Sequence, residues 1–310
     1  MKPNEISNKR ILISPLNWGY GHVSRCIPLV ENLIKQNNDI FIACDQKQKV
    51  IFDIYFFGKF TFIEHKGYPF DFNGKGLFFF DLLKKSNQLY RRYIKELKDV
   101  KEYQKIYSLD LIISDHRYGL RLDSCTSIFL THQLHLPLPW YGWFFQWFHK
   151  IIIGKFDFQW IVDDYKTRLA GELSSKKGYE NAKYIGALSR FSLYSLTSEF
   201  LYKGVLIISG PEAYASSLLE GFRWQIEAGD IDLILGPINN LSIIKEKGYK
   251  HLFRTSESWV ETDQILLKTK KVYGYFGYTT LMDVKFLNCQ YQLIPCKGQL
   301  EQMYLSKLHS

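Results

Sequence analysis

Short apolar runs, each followed by a segment with helical periodicity, recur along this chain of 310 residues. The first run covers residues 10–14, and a helical pattern with one apolar face follows over residues 22–36. The runs are continuous and do not alternate between apolar and polar residues, which is typical of parallel strands buried on both faces. The sequence therefore predicts an α/β fold built on parallel sheets.

The predicted strands fall into two groups. In the first half, further strands are expected at residues 39–44, 60–64, 109–114 and 127–131, and a long helix at residues 81–107. In the second half, strands are expected at residues 204–208, 231–235, 271–274 and 290–295. The polar stretch 187–203 separates the groups. We therefore expect two α/β domains, residues 1–190 and 191–310, with the linker in this stretch.

The composition argues against several classes of protein. Five cysteines, an odd number without a C-x-x-C pair, disfavour a disulfide framework or a zinc site and favour a reducing cytoplasm. The sequence shows no N-terminal signal and no apolar run near the roughly 18 residues of a spanning helix, so we expect a soluble or membrane-surface protein. The net charge of +9 favours anionic partners. Nucleic acid is not an expected partner, because the sequence has no recognised binding module or dense basic run.

Polar groups follow the predicted strands of the first half, where ligands of open α/β sheets bind. Gly19 and Gly21 allow close backbone approach before a helix N-terminus, and His22 at that terminus is a candidate general base. Asp115 is a candidate to activate a hydroxyl or to contact His22, and His132 offers polar atoms to the same crevice. The alternative for His22 is a capping histidine, and for Asp115 it is the N-cap of a following helix. For His132 the alternative is a hydrogen-bonded strand end.

The second half carries a comparable set of loops. Ser209 and Gly210 open a helix, where backbone N–H groups can hold a diphosphate. Against this, Pro211 removes one N–H, and Glu212 would repel an anion if its side chain pointed inward. The polar loop 295–302 enters the last predicted helix.

The segment 273–283 leads from a strand into a helix. Gly277 is expected to make the turn, Thr279 and Thr280 to cap the helix, and Asp283 to lie one turn in. A carboxylate at that position can hydrogen-bond ribose hydroxyls. The alternative is compensation of the helix dipole.

Segment 137–160 is densely aromatic and carries interleaved basic residues. Its candidate interfacial side chains are Trp140, Trp143, Phe144, Phe145, Trp147, Phe148, Lys150 and Lys155. Tryptophan anchors membrane interfaces and lysine attracts anionic lipid, so the segment is a candidate for peripheral membrane contact. A buried core between helices and a dimer surface are the alternatives.

Three motifs together resemble the GT-B glycosyltransferases. They are GYGHVSR at residues 19–25, GYTTLMD at 277–283 and PCKGQLEQ at 295–302. The likeness is to the family 28 branch, which contains the lipid-linked GlcNAc transferase of peptidoglycan synthesis and the plant galactolipid synthases. It implies two Rossmann-like domains facing across a cleft. The N-terminal domain would bind the acceptor, and the C-terminal domain a nucleotide-sugar, typically a UDP-sugar.

The resemblance also implies roles for individual residues. Donor-side roles fall on Ser209 and Gly210 in the diphosphate loop, on Asp283 as the ribose ligand, and on Gln302 with Glu301 in the sugar-binding stretch. Gly277, Thr279 and Gln299 belong to the same donor motifs. On the acceptor side, His22 matches the base of the glycine-rich loop that contains Gly19 and Gly21. Asp115 and His132 are the other acceptor-side candidates.

The implied reaction is inverting, metal-independent transfer of a sugar from a UDP-sugar to an acceptor hydroxyl, with a lipid among the acceptors. No cofactor or metal is expected. The implied location is cytoplasmic, including the inner face of the cell membrane.

The chain departs from the family pattern at three places. Tyr275 and Phe276 stand where such enzymes carry Arg-Ser, and Asn17 and Trp18 replace further glycines. The sequence stops at Ser310, where the family usually continues, so the second domain is expected to be shortened. The missing arginine and the early end favour a non-catalytic nucleotide-sugar-binding or assembly subunit as an alternative to a transferase. A UDP-sugar epimerase on the same fold is a further alternative, against which the aromatic acceptor-side segment argues.

Overall fold

The computed structural model describes residues 1–69, 84–138, 142–209 and 214–309. They form two compact α/β units, the first reaching Leu188 and the second beginning at Ser189. Each unit contains one of the two predicted groups of strands, and every strand pair in the described residues is parallel. The predicted α/β class with two parallel sheets is confirmed.

The first unit contains a seven-stranded sheet in the described residues. Its strands are β1 (Arg10–Pro15), β2 (Asp39–Cys44), β3 (Thr61–Glu64), β4 (Leu111–Asp115), β5 (Thr126–Thr131), β6 (Phe158–Ile161) and β7 (Ala182–Tyr184). Its helices are α1 (Gly21–Lys35), α2 (Gln46–Phe56), α3 (Ser86–Tyr107) and α4 (Trp143–Ile153). The strand order is β3-β2-β1-β4-β5-β6-β7.

Strands β1 and β4 are neighbours at the centre of this sheet. Pro15 at the end of β1 pairs with Asp115 at the end of β4. The loop after β1 reaches α1 through Gly19, whose φ of +80° is one that glycine adopts without steric cost. Because the strands are parallel, the start of α1 and the end of β4 meet at the same edge of the sheet.

The second unit contains a five-stranded sheet in the described residues. Its strands are β8 (Tyr202–Ile207), β9 (Leu233–Gly236), β10 (Phe253–Thr255), β11 (Thr269–Tyr275) and β12 (Gln290–Ile294). Its helices are α5 (Ala215–Gly221), α6 (Arg223–Glu227), α7 (Leu241–Glu246), α8 (Trp259–Leu267), α9 (Tyr278–Phe286) and α10 (Leu300–Leu308). The strand order is β10-β9-β8-β11-β12.

Part of the predicted linker is packed into the second unit. Residues Arg190–Leu193 form a 3₁₀ turn, and Phe191 is fully buried against apolar residues of that unit. Ser189 and Arg190 are also buried and bind carboxylates of the same unit. The polar composition of this stretch therefore reflects ion pairing as well as exposure to solvent.

In the part of the chain that the structure describes, no helix is both long enough and apolar enough to cross a bilayer.

Candidate active site

Asp115, at the end of β4, lies between His22 and Arg25 of α1. His22 Nδ1 is 3.0 Å from Asp115 Oδ2. Arg25 Nε donates to the same oxygen at 3.0 Å, and Arg25 Nη2 donates to Asp115 Oδ1. His22 and Arg25 are three residues apart on a helix, so their side chains share one face. The carboxylate of Asp115 is completely buried, whereas the side chain of His22 is 15% exposed.

Two further histidines surround this Arg–Asp pair. His132, just after β5, places Nδ1 2.8 Å from Arg25 Nη1. His116, just after β4, is hydrogen-bonded through Nε2 to Thr131 Oγ1 over 2.6 Å. The ring of His116 lies 5.5 Å from the ring of His22 and 5.8 Å from that of His132, measured between centroids. Three histidines thus adjoin one buried ion pair at the carboxyl edge of the first sheet.

The electrostatics of this cluster favour neutral His22 and His116 beside an ionised carboxylate. Burial opposes ionisation of Asp115, but the Arg25 guanidinium and His22 outweigh it and hold the pKa of Asp115 below its usual range. Burial lowers the pKa of His22, and the charge of Arg25 lowers it further against the opposing effect of Asp115. Burial also lowers the pKa of His116 well below its usual value. At neutral pH, His22 is therefore in the form that accepts a proton.

The structure decides between several of the sequence-based alternatives. The predicted contact between Asp115 and His22 is present. The N-cap interpretation of Asp115 is wrong, because no helix occurs in residues 116–125. The capping interpretation of His22 is also wrong, since Tyr20 is the N-cap of α1 and the His22 ring is turned to Asp115 and Arg25. His132 is hydrogen-bonded after its strand, as one alternative held, and its partner is Arg25.

A second buried polar network fixes the loops that frame this edge. Arg117 and Glu96 are both fully buried and paired, with Arg117 Nε donating to Glu96 Oε1 at 2.8 Å. Arg117 also donates to the carbonyl oxygens of Pro15 and Lys66, and Tyr68 donates to Glu96 Oε2 at 2.6 Å. The segments after β1, β3 and β4 are thereby joined to α3.

Asp283 lies in a buried ion-pair network of the second unit. Its Oδ1 accepts from Ser189 Oγ at 2.6 Å and its Oδ2 from Arg190 Nη1 at 2.8 Å. Arg190 Nε in turn donates to Asp263 Oδ1 at 2.7 Å. Burial raises the pKa of Asp283 to about 6, although Arg190 and Ser189 oppose the rise. Both carboxylate oxygens therefore have internal partners, and the assignment of Asp283 as a ribose ligand stays a prediction.

The other donor-side candidates lie in loops and first turns of the second unit. Gly277 is the N-cap of α9, so the predicted capping by Thr279 and Thr280 is wrong, and both residues lie inside the first turn. Ser209 follows β8, while Gly210, Pro211 and Glu212 lie outside the described residues.

The loop that leads into α10 is closed by its own glutamines. Gln302 Oε1 accepts from the backbone N–H of Cys296 at 2.8 Å, and Gln302 Nε2 donates to Gln299 Oε1 at 2.9 Å. Glu301 lies in the first turn of α10. The structure gives Gln299 and Gln302 a local structural role, and their contact with a sugar stays a prediction.

Helix α4 exposes an aromatic face. Its exposed apolar side chains are Trp143, Phe144, Phe145, Trp147, Phe148 and Ile151, whereas His149, Ile152 and Ile153 face the interior. Trp143 is 69% exposed and Trp147 is 54% exposed. The alternative of a buried core is therefore wrong for these two tryptophans. Trp140 lies outside the described residues.

Residues that sequence reasoning missed complete both networks. Arg25 entered only as part of the GYGHVSR motif, although its spacing of three residues from His22 places both on one helix face. Ser189 and Arg190 fell inside the predicted linker. No group of three or more His, Cys, Asp or Glu side chains in the described ranges is arranged to hold a metal ion.

The chain resembles known proteins in its three-dimensional structure. No family model matches the sequence, and no curated protein matches it either. The solved structure of the glycosyltransferase of kitacinnamycin superposes with a TM-score of 0.66 at 12% identity, covering 98% of this chain and 85% of that one. Arabidopsis thaliana UGT89C1 gives 0.65 at 12% identity, covering 97% and 82%. S. aureus MnaA, solved with UDP, gives 0.60 at 11% identity, covering 97% and 88%.

These similarities establish the fold. Two parallel α/β units in this order are the architecture of the GT-B glycosyltransferases, and the match extends over almost the whole chain. The fold that the sequence motifs implied is thus confirmed.

Proposed function

We propose that this protein transfers a sugar from a UDP-sugar to an acceptor hydroxyl with inversion at the anomeric carbon. The observation that carries the proposal is the contact between His22 Nδ1 and Asp115 Oδ2 at the carboxyl edge of the first sheet. We assign the ring proton of neutral His22 to Nδ1, which donates to Asp115 Oδ2, while Arg25 Nη2, also close to Nδ1, donates to Asp115 Oδ1. Nε2 then carries the lone pair for an acceptor hydroxyl. A neutral imidazole held by a carboxylate is the usual arrangement of a general base.

The reaction needs no group beyond donor, acceptor and protein. His22 Nε2 takes the proton of the acceptor hydroxyl, and the hydroxyl oxygen forms a bond to the anomeric carbon. The bond from that carbon to the UDP oxygen breaks on the opposite face, and UDP leaves with the electron pair. Gly19, Gly21 and His132 are the proposed acceptor-side contacts.

The second unit supplies the proposed donor site. Ser209 and the start of α9 are proposed to offer N–H groups to the diphosphate, together with Gly210, which lies outside the described residues. Fixed dipoles of this kind stabilise a leaving group without a metal. Asp283 is proposed to bind the ribose. Each of its oxygens already accepts one hydrogen bond, and a carboxylate oxygen has a second lone pair for a hydroxyl. Gly277, Thr279, Gln299, Glu301 and Gln302 complete the proposed donor set. Two solved structures of this fold, MnaA and LpCGTa, contain UDP.

The aromatic face of α4 supports a lipid acceptor reached from the cytoplasmic side of a membrane. The helix contains no acidic residue, and Lys150 in its last turn lies beside Gly178. Lys176 and Lys177, which precede that glycine in the sequence, are exposed. Exposed tryptophans and lysines both favour contact with an anionic lipid surface. We therefore propose peripheral attachment through this helix.

Calorimetric titration with UDP-GlcNAc, UDP-galactose, UDP-glucose and UDP tests the donor site. Micromolar binding to at least one of them is expected, and Asp283→Asn should weaken it at least about tenfold, the loss of one good hydrogen bond to a charged group. Asp230→Asn, which alters an exposed carboxylate paired with Lys203, is the matched control. Absence of binding to all four would contradict the proposal.

A non-catalytic nucleotide-sugar-binding subunit is the second candidate. The internal pairing of Asp283 with Ser189 and Arg190 favours it, because a carboxylate committed to the fold has less capacity for substrate. Donor binding without release of UDP in the presence of any hydroxyl acceptor would support this candidate.

A further inference from the structure

Asp115 requires one positive partner because its carboxylate is fully buried at the end of β4. An unpaired buried charge costs several kcal/mol, so a nearby group must compensate it or the carboxyl takes up a proton. Arg25, itself 1% exposed, donates to both carboxylate oxygens and meets this requirement. A guanidinium keeps its charge at any physiological pH.

Among the described residues, His22 is the other basic group in direct contact with this carboxylate. Its Nδ1 is 3.0 Å from Asp115 Oδ2 and 2.8 Å from Arg25 Nη2. In the described part of the chain, the other titratable groups around it are His116 after β4, His132 after β5 and the Cys26 thiol on α1, 3.8 Å from Asp115 Oδ2. Arg25 and Asp115 form an ion pair, and their charges cancel.

We propose that Arg25 is a positioning residue that supplies the countercharge of Asp115, so that His22 stays neutral and its Nε2 remains able to accept a proton. If the guanidinium is removed, His22 is the group placed to replace it. The imidazole then takes up a proton and pairs with Asp115 as imidazolium. An imidazolium has no lone pair to accept the proton of a hydroxyl. The protonation part of this inference is independent of sugar transfer, and its kinetic consequence rests on the proposed function.

Arg25 also fixes the tautomer of His132. A guanidinium only donates hydrogen bonds, so His132 Nδ1, 2.8 Å from Arg25 Nη1, must be the acceptor. When the His132 ring carries one proton, that proton resides on Nε2, and the side-chain amide of Gln133, 3.2 Å away, must present its oxygen to it. This assignment gives a spectroscopic signature of the Arg25 contact that a loss of packing would not reproduce.

The test is a pH titration of ¹⁵N-labelled histidines by NMR in the full chain. In the wild type, His22 should be neutral at pH 7 and His132 should carry its proton on Nε2. In Arg25→Met, the pKa of His22 should rise by more than about one unit, because Asp115 then has His22 as its remaining basic partner. One unit is a tenfold shift in the proton concentration at half-protonation. In Arg25→Met/Asp115→Asn, the pKa of His22 should fall back, since the carboxylate charge is gone.

If Arg25→Met does not fold, the single variant Asp115→Asn, which keeps Arg25, provides the test instead. With Arg25 uncompensated, the pKa of His22 should drop below its wild-type value. A His22 that is already protonated at pH 7 in the wild type would overturn the inference. So would an unchanged His22 pKa in a folded Arg25→Met or Asp115→Asn protein.

The kinetic arm distinguishes this inference from the proposed function. If the chain transfers sugar, Arg25→Met should move the rise of kcat/KM with pH to higher pH by the same amount as the NMR shift of His22. Arg25→Lys should partly restore the wild-type pH dependence of kcat/KM, because lysine supplies the positive charge but not the paired N–H donors of a guanidinium. If no sugar is transferred by any variant while the NMR shifts occur as stated, the proposed function fails and the role of Arg25 stands.

Discussion

His22 Nδ1 lies 3.0 Å from Asp115 Oδ2, although the two residues are 93 positions apart in the chain. The parallel pairing of β1 with β4 accounts for this approach, because it aligns Pro15 with Asp115 and so places the start of α1 over the end of β4. The contact joins a group that can accept a proton to a buried carboxylate that orients it. The catalytic part of the proposed function depends on this pair.

The Arg117–Glu96 pair is expected to contribute strongly to stability. Glu96→Gln leaves a fully buried guanidinium without its carboxylate, which should lower the free energy of unfolding of the first unit by about 3 kcal/mol or more. Urea denaturation measured by circular dichroism checks this. The control is Glu227→Gln, which removes an exposed partner of Arg223 and should leave the urea midpoint unchanged. Equal midpoints for the two variants would contradict the assigned role.

The raised pKa of Asp283 predicts a pH dependence of stability. Its folded-state pKa of about 6 is above the ordinary 3.8, so the folded state binds a proton more tightly than the unfolded state. The associated stability is fully present below pH 3.8 and is lost as the pH rises through 6. Asp283→Asn, which resembles the protonated form, should remove this decline between pH 4 and 6 in thermal denaturation curves. A decline of the same size in the variant would show that other groups cause it.

The exposed tryptophans of α4 predict attachment to anionic membranes. Trp143→Ser/Trp147→Ser should weaken sedimentation with vesicles that contain phosphatidylglycerol by about tenfold or more, because two interfacial anchors are lost. Vesicles of phosphatidylcholine alone should bind the wild type less, since they do not attract the lysines. Trp224→Ser is the matched control, as Trp224 is 71% exposed on the second unit. Binding that is insensitive to the α4 substitutions would remove the membrane role of this helix.

The order of the central elements was predictable from the sequence because each depends on local patterns. The strands β1 and β4 are unbroken apolar runs. The loop between β1 and α1 has a φ of +80° at Gly19, a backbone angle that favours glycine. Short strands such as β7 and β10, of three residues each, have too few residues to show a period. The roles assigned to the two units, acceptor binding and donor binding, stay predictions.

The partners of buried charges were not predictable from local patterns. Arg190 and Asp283 are 93 residues apart, and nothing near Arg190 in the sequence distinguishes it from a solvent-exposed arginine. Glu96 likewise occupies a helix with many charged residues, and only the tertiary packing of α3 shows that it is buried. Arg25 is intermediate, because its helical spacing from His22 was visible while its contact with Asp115 was not.

The central claim is that His22 accepts the proton of the acceptor hydroxyl. It is tested most directly by the rate of UDP release with the donor that binds, in the presence of a hydroxyl acceptor, for the wild type, His22→Gln and the control His251→Gln. His251 is exposed on the second unit. The account predicts a loss of about 10² to 10⁴ in kcat for His22→Gln with donor affinity unchanged, and wild-type turnover for the control. Turnover by His22→Gln within twofold of the wild type would contradict it.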